Sequence, residues 1–232
     1  MTVSESVNGS SGSAPVVVPE QGVTMAAAAD DLQVIGPRYM LRYATGDDAR
    51  QLFELGADPA VTRFFSWGPY TSIEQPRAYI EDLRAKRESG QLLEFVIVER
   101  ATDLIVGVTG LTEFSLRDRR AVVGSWLGHK YWGTGINFAS KALVLSLGFG
   151  RLGLERISAY SHVRNGRSKA ALERIGFHSE GTLLSWHRHH GDPQDVHIHC
   201  LLRDHYQRTE AARQEIEISG SVPEVFRVPA NA

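Results

Sequence analysis

Hydrophobic and polar residues alternate along this chain with two different periods, and each period predicts one kind of element. A strand with a two-residue period is predicted at 38–45, RYMLRYAT. Two helices follow, at 46–58, GDDARQLFELGAD, and at 72–90, SIEQPRAYIEDLRAKRESG, where apolar residues recur three and four positions apart. The chain is therefore predicted to begin with one strand and two helices.

The rest of the chain continues to switch between short apolar runs and helical patterns. Strands are predicted at 92–100, 104–114, 119–128, 155–163, 182–190 and 195–202, and helices within 130–149 and at 167–177. The resulting order is β-α-α-β-β-β-α-β-α-β-β. Because strands and helices alternate in this way, an α/β (α+β) domain with a mixed sheet is predicted.

The two ends of the chain lack this patterning. Residues 1–33 are rich in Ser, Gly, Ala and Val and are predicted to form a disordered tail. The domain itself is placed at 34–208. Residues 209–232 are predicted to complete a polar helix, around Arg208–Glu217, and to end in a second tail.

Composition narrows the class of protein without naming a function. The 232 residues suit one domain with tails, and a net charge of −2 gives no reason to expect nucleic acid or an anionic membrane as a partner. Cys200 is the only cysteine, which excludes an internal disulfide. No stretch has the length of a membrane span, and the first residues do not resemble a signal peptide. A cytoplasmic enzyme or binding module is expected.

The segment 130–149, KYWGTGINFASKALVLSLGF, places two glycines directly before an apolar helix. A helix N-terminus offers unpaired backbone N–H groups and a positive partial charge, and glycine lets an anion approach them closely. The phosphate loop G-x-x-x-x-G-K-[ST] is absent. A dinucleotide-binding turn needs a third glycine where Phe138 stands and an acidic residue ending the next strand, which Glu155 instead begins. Neither nucleotide fold is predicted.

Four motifs resemble those of the GNAT N-acetyltransferases, and in particular their RimJ/RimL-like branch. The loop at 130–135 is similar to the family's [QR]-x-x-G-x-[GA] pyrophosphate loop, with Lys for Gln or Arg. In chain order, the motifs are GSWL at 124–127, Lys130-x-x-Gly133-x-Gly135, Asn165-x-x-Ser168 with Gly176-Phe177, and SEG at 179–181. The resemblance covers about residues 38–206. It implies the acyl-CoA N-acyltransferase fold, acetyl-CoA as the donor and a primary amine as the acceptor.

The resemblance also implies how coenzyme A is held. Loop amides would bind the pyrophosphate, and the strand before the loop would splay from its neighbour and pair with pantetheine. The implied cofactor-binding residues are Trp126, Leu127, Gly128, Lys130, Tyr131, Trp132, Gly133, Thr134, Gly135, Ile136, Asn137, Asn165, Arg167 and Ser168. Judged from the residues alone, Asn165 is also a good N-cap, and Lys130 and Arg167 are equally well explained as surface charges.

Two residues that many GNAT proteins use in catalysis are replaced in this sequence. Leu172 stands where a Tyr is common, and Val122 stands where a Glu is common. The RimJ/RimL-like branch implies another set, in which Ser168 donates a proton to the departing thiolate and, in some members, a Glu before the last hairpin is the general base. His187 occupies the place of that Glu here, and histidine is a competent base near neutral pH. Glu113 is a second candidate base, and a water-mediated or substrate-deprotonated mechanism stays open.

Five histidines lie in the final hairpin, at positions 187, 189, 190, 197 and 199. A four-residue loop is predicted at Gly191–Gln194, which pairs His187 with Ile198. The first two histidines then point to one face of the sheet and the last two to the other. Because these side chains do not converge, no metal site is predicted, although a metal-dependent enzyme is a third functional hypothesis.

The sequence indicates the acceptor of the acetyl group less specifically than the donor. Trp67 and Tyr70 are expected to wall the acceptor site, and Phe65 is expected to join the core. The acceptor is either a protein or peptide N-terminus or a small amine, such as an amino acid, a polyamine or an antibiotic. An unpaired sheet edge is compatible with a homodimer. The second functional hypothesis is a non-catalytic acyl-CoA-binding module with the same fold.

Overall fold

The computed structural model describes residues 31–228, which form a nine-stranded mixed sheet with helices on both faces. The strands are β1 (Gln33–Ile35), β2 (Tyr39–Arg42), β3 (Leu92–Glu99), β4 (Leu104–Ser115), β5 (Arg120–Leu127), β6 (Arg156–His162), β7 (His178–His189), β8 (Asp192–Leu202) and β9 (Glu217–Ser219). The helices are α1 (Ala49–Gly56), α2 (Pro59–Thr62), α3 (Glu74–Glu88), α4 (Ile136–Leu145), α5 (Gly166–Ile175) and α6 (Arg203–Tyr206). The predicted α/β class with a mixed sheet is confirmed. Within 31–228, no helix combines the length and apolar character that crossing a membrane requires.

Two neighbouring strands of the sheet, β5 and β6, separate from each other after a short paired stretch. The strand order is β7-β8-β6-β5-β4-β3-β2-β1-β9, and β5 and β6 are its parallel neighbours. They pair over only three residues each, ending at Val122 and Ser158. Beyond this point β5 continues to Leu127 and β6 to His162 without pairing with each other. The two strands therefore diverge and leave a V-shaped gap in the middle of the sheet.

Alternate residues of β5 face different hydrophobic clusters. Val123 and Leu127 belong to the cluster that contains residues of α4 and α5. Trp126 belongs to the cluster formed with residues of α1, α2 and α3. Because successive strand residues point to opposite faces, the gap has different helices above and below it.

The ends of the domain differ from the sequence-based expectation. Most of the predicted N-terminal tail lies outside the described residues, but Leu32 is buried and β1 begins at Gln33. The predicted helix around Arg208–Glu217 is wrong, because the chain there makes a short 3₁₀ turn and then β9, which pairs with β1. The segment 215–219, EIEIS, alternates with the period of a strand. Phe226 is fully buried, so the C-terminal segment packs on the domain.

The turn between β7 and β8 is shorter than predicted. His187 pairs with Gln194 instead of Ile198, and only His190 and Gly191 connect the strands. Both connecting residues have positive φ, 51° and 91°, as a two-residue type I′ turn requires. The predicted four-residue loop is therefore wrong, because the chain reverses before the proline that resembled a turn residue. The error in pairing is an even number of residues, so His187 keeps its predicted face.

Candidate active site

The gap between β5 and β6 opens into a cavity of about 590 Å³, the gap cavity. Its walls come from β5, the glycine segment that follows it, β6 and α5. Ten of the expected cofactor residues line it: Trp126, Leu127, Tyr131, Trp132, Gly133, Gly135, Asn137, Asn165, Arg167 and Ser168. The fold therefore brings the glycine segment and the start of α5 to opposite sides of one space.

The glycine segment ends at a helix N-terminus that borders the gap cavity. Gly133 and Gly135 have φ of 77° and 88°, a left-handed conformation that residues with a Cβ rarely adopt. A Cβ at either position would meet no protein atom within 4 Å. Gly135 is also the N-cap of α4, whose first backbone N–H groups have no acceptor within the helix. The segment is thus an open cradle that fits an anionic group such as pyrophosphate.

Four of the expected cofactor residues do not line the gap cavity. Lys130 is exposed, and its Nζ lies 4.9 Å from the centroid of the Tyr131 ring. Thr134 Oγ1 donates to the Tyr131 carbonyl oxygen at 2.8 Å, and Ile136 is buried in the core. A Cβ at Gly128 would collide with a side chain of α1. The side chain of Thr134 therefore stabilises the loop, and Ile136 and Gly128 pack it against the domain.

The start of α5 forms the opposite wall of the gap cavity. Asn165 is the N-cap, and its Oδ1 accepts a hydrogen bond from the Ser168 backbone N–H at 3.2 Å. The guanidinium carbon of Arg167 lies 3.2 Å from the centroid of the Trp132 ring. Trp132 Nε1 in turn donates to the Leu127 carbonyl oxygen at 2.9 Å. Cation–π stacking on an anchored indole therefore holds a positive charge beside the glycine segment.

A second cavity of about 310 Å³, the hairpin cavity, is lined in part by the β7–β8 hairpin. The two cavities share six wall residues: Phe64, Phe65, Val123, Gly124, Tyr160 and His162. Glu113 and His187 line the hairpin cavity, whereas Ser168 lines the gap cavity. The three expected catalytic residues are therefore distributed over two adjoining spaces that meet where β5 and β6 diverge.

Glu113 reaches the hairpin cavity from a bulge in β4. The register between β4 and β5 shifts between Thr112 and Ser115, and Glu113 has a φ of 51°. Its Oε2 accepts a hydrogen bond from the Tyr160 hydroxyl at 3.3 Å. The His187 ring meets the same tyrosine edge-on, with 5.4 Å between ring centroids. Burial and the nearby carboxylate raise the pKa of Tyr160, so the phenol stays protonated and able to donate.

The sequence that forms this sheet, the glycine cradle and most of the walls of the two cavities matches a known family. Residues 38–178 match the family model of the acetyltransferase (GNAT) domain. The chain belongs to the GNAT acetyltransferase family. It is accordingly an acyltransferase, and acetyl-CoA is the acetyl donor of this family. The family, enzyme class and cofactor expected from the sequence motifs are confirmed.

Relatives and solved structures agree with this membership. The chain is 32% identical over 171 residues to the uncharacterized N-acetyltransferase p20 of Bacillus licheniformis, a match that covers 73% of this chain and 95% of that protein. It is 30% identical over 168 residues to the uncharacterized N-acetyltransferase YoaA of Bacillus subtilis, covering 72% and 94%. Mycobacterium smegmatis RimJ in complex with CoA-disulfide has a similar fold, with a TM-score of 0.69, 24% identity and coverage of 78% and 92%.

His162 is a wall residue of this GNAT domain that the sequence did not single out. Its Nδ1 accepts a hydrogen bond from the Arg164 backbone N–H at 3.0 Å. Its Nε2 must then carry the proton, which it donates to Gln194 Oε1 at 2.9 Å. Because both ring nitrogens are engaged, His162 is held in a fixed orientation in the wall. No local sequence pattern indicated this contact, because it joins β6 to β8.

The hairpin histidines divide between the two faces of the sheet, as predicted. The rings of His187 and His189 stack with centroids 6.3 Å apart. His199 is fully buried under the other face, with its Nε2 3.0 Å from Ser161 Oγ. Among residues 31–228, no three His, Cys, Asp or Glu side chains are grouped so as to hold a metal ion.

The aromatic residues between α2 and α3 differ from their expected places. Phe64 and Phe65 line both cavities, whereas Trp67 and Tyr70 line neither. Trp67 packs between Tyr70 and Trp126, with ring centroids 5.1 and 5.4 Å apart. Burial and the nearby carboxylate of Glu94 raise the pKa of Tyr70 to about 12. Phe65, predicted as core, is thus a wall residue, and the two residues expected as wall lie behind it.

Lys141 is a charged residue of the gap cavity that the sequence motifs did not single out. It lies in α4, is only 3% exposed, and donates a hydrogen bond to the Ser125 hydroxyl on β5. Both residues line the gap cavity. The sequence offered one signal, a single basic residue in an otherwise uncharged helix. The spacing of that residue does not indicate where its side chain points.

Proposed function

We propose that this GNAT protein transfers the acetyl group of acetyl-CoA to a primary amine, with acetyl-CoA in the gap cavity and the amine in the hairpin cavity. The observation that carries the proposal is the shared wall around Gly124 and Tyr160, which makes the two cavities adjoining spaces. Two substrates held on either side of this opening would meet without passing through bulk water.

The gap cavity suits two parts of the donor, its pyrophosphate and its pantetheine arm. The N–H groups at Gly135 and the first turn of α4 would bind pyrophosphate, and Arg167 would add positive charge from the opposite wall. The backbone of 124–127, which β6 leaves unpaired, would hydrogen-bond the pantetheine arm. Bound acetyl-CoA supplies an acetyl group that is activated as a thioester.

Acid–base roles are assigned by position. His187 is proposed as the general base that accepts a proton from the amine, and Ser168 as the group that donates a proton to the thiolate. Glu113 would attract the ammonium form of the acceptor and is the second candidate base. Val122 and Leu172 are buried apolar residues, so the positions of the usual GNAT Glu and Tyr supply no proton transfer here.

The hairpin cavity limits the class of acceptor without selecting one compound. It combines aromatic walls at Phe64 and Phe65 with the carboxylate of Glu113. This combination suits a cationic amine carried by an uncharged or apolar group. A protein or peptide N-terminus and a small amine both meet this description.

The test is thiol release from acetyl-CoA by the full chain across a panel of amines. The panel contains Ala- and Ser-starting peptides, free amino acids, polyamines and aminoglycosides. Saturable turnover on one class, with the acetylated amine identified by mass, would establish the transfer and its acceptor. Saturable binding of acetyl-CoA with no turnover on any class would contradict the proposal and favour the non-catalytic acyl-CoA-binding module.

A further inference from the structure

Lys141 is buried in a way that lysine rarely is. Its side chain is 3% exposed, although an ammonium group strongly prefers water and lysine is almost never fully buried unless it is paired. The hydrogen bond to the Ser125 hydroxyl is made to a neutral partner. In the part of the chain that the structure describes, Lys141 takes part in no ion pair with a carboxylate. Its burial is therefore not compensated by the protein.

The amine also keeps unused hydrogen-bonding capacity. A lysine side chain has three donors when protonated and two when neutral, and Ser125 accepts one of them. Burial lowers the pKa of Lys141 to about 7, so both protonation states are accessible near neutral pH. Either state leaves at least one N–H inside the gap cavity.

The position of this amine decides which part of a ligand it would meet. Ser125 lies within 124–127, the stretch of β5 that β6 leaves unpaired. The glycine cradle, where phosphates fit, begins several residues further along the chain at Gly133. An elongated ligand anchored in the cradle and running along β5 would pass Lys141 with its uncharged arm, which in coenzyme A contains two amide groups. Amide carbonyls in a dry cavity need donors.

We propose that Lys141 is a cofactor-positioning residue that donates a hydrogen bond to an amide carbonyl of the pantetheine arm of acetyl-CoA. The inference rests on the proposed placement of acetyl-CoA in the gap cavity. It adds a side-chain contact from α4 to the backbone contacts proposed for the arm. The expected consequence is selective: Lys141 strengthens binding of the arm and leaves binding of the nucleotide unchanged.

The experiment compares two ligands by isothermal titration calorimetry on the full chain. Coenzyme A carries the arm, and adenosine 3′,5′-bisphosphate does not. Lys141→Met is expected to weaken coenzyme A binding about tenfold, the usual effect of losing one buried charge-assisted hydrogen bond. Binding of adenosine 3′,5′-bisphosphate is expected to change less than about twofold, since that ligand ends at the cradle.

Two further variants control the measurement. Lys169→Met makes the same change on α5, where Lys169 pairs with Glu173 and does not line the gap cavity, and should leave both ligands unaffected. Lys141→Met is expected to fold, because an apolar isostere of a buried, uncompensated charge is commonly neutral or stabilising. Ser125→Ala keeps the amine and removes its protein partner, so coenzyme A should bind within about threefold of the wild type.

Three results would overturn the inference. Unchanged coenzyme A affinity in Lys141→Met would show that the amine makes no contact with the arm. Equal losses for both ligands would show that Lys141 supports the cavity as a whole. A loss confined to Ser125→Ala would assign the contact to the hydroxyl. Failure of the wild type to bind coenzyme A would instead contradict the placement of the cofactor itself.

Discussion

The two cavities of this protein are built by different routes. The gap cavity takes the largest share of its wall from one stretch of the chain, 123–141, and completes it with residues of β6, α5 and the segment around α2. The hairpin cavity gathers Phe64, Glu113, Tyr160 and His187, which are far apart in the chain. A site built from neighbours depends on local backbone conformation. A site built from distant strands depends on register, so a small shift at one strand can remove it.

The largest expected effect on cofactor affinity comes from a change in the gap cavity, where the geometry is local. Gly135→Ala places a Cβ in the open cradle at a φ of 88°, which costs about 1–2 kcal/mol in backbone strain and blocks close approach of an anion. We expect coenzyme A affinity to fall about 10- to 30-fold. Calorimetry measures the affinity, and thermal unfolding shows whether the fold is retained.

Gly150→Ala is the matched control for this change. A Cβ at Gly150 also meets no atom within 4 Å, but its φ is not in the left-handed region. Its coenzyme A affinity should stay close to that of the wild type. If both variants bind equally well, the glycine cradle is not the phosphate site.

The family resemblance predicted ten of the residues that line the gap cavity, because the motifs that carry it are local. The glycines at 133 and 135 and the Asn165 cap act through the backbone of their own turns, so their residue types carry the information. The divergence of β5 from β6 came from the family resemblance, and the pairing pattern shows it. Lys141 was missed because a lone lysine in an apolar helix gives no indication of the cavity that it faces.

The hairpin cavity was harder to predict because each of its residues depends on distant contacts. The direction of Glu113 follows from a bulge in β4. Phe65 was expected in the core and lines the cavity, whereas Trp67 was expected in the cavity wall and does not line it. Both residues lie in an irregular segment, where no periodicity of the sequence distinguishes cavity residues from core residues. Similarly, β9 forms only because β1 offers it an edge, although the two are separated by most of the chain.

The second prediction separates the two candidate bases of the hairpin cavity. His187→Gln is expected to lower kcat about 100-fold with little change in coenzyme A affinity, because it removes the proposed general base. Glu113→Gln is expected to raise the KM for the amine about tenfold and to change kcat less, because it removes an attractive charge. Steady-state kinetics with the acceptor identified from the amine panel measures both.

His178→Gln provides the control for the histidine change. His178 lies at the far end of β7, where its ring packs on His205, and lines neither cavity. It should retain wild-type kinetics. A large loss of kcat in Glu113→Gln together with normal turnover in His187→Gln would reverse the two assignments.

The smallest expected effect concerns the turn that sets the register of the hairpin. His190 occupies the first position of a type I′ turn with a φ of 51°, a conformation that asparagine adopts more readily than histidine. His190→Asn should therefore raise the free energy of unfolding by about 0.5 kcal/mol and leave turnover within about twofold. His190→Val introduces a β-branched residue and should lower the free energy of unfolding by about 1 kcal/mol, since valine is strained at positive φ.

If the pairing of β7 with β8 slips by one residue in the valine variant, His187 turns to the opposite face of the sheet. Turnover would then fall while coenzyme A affinity stays normal, so the hairpin cavity alone would be lost. Chemical denaturation and parallel kinetics measure both quantities, and a less stable asparagine variant would show that this turn does not limit the hairpin.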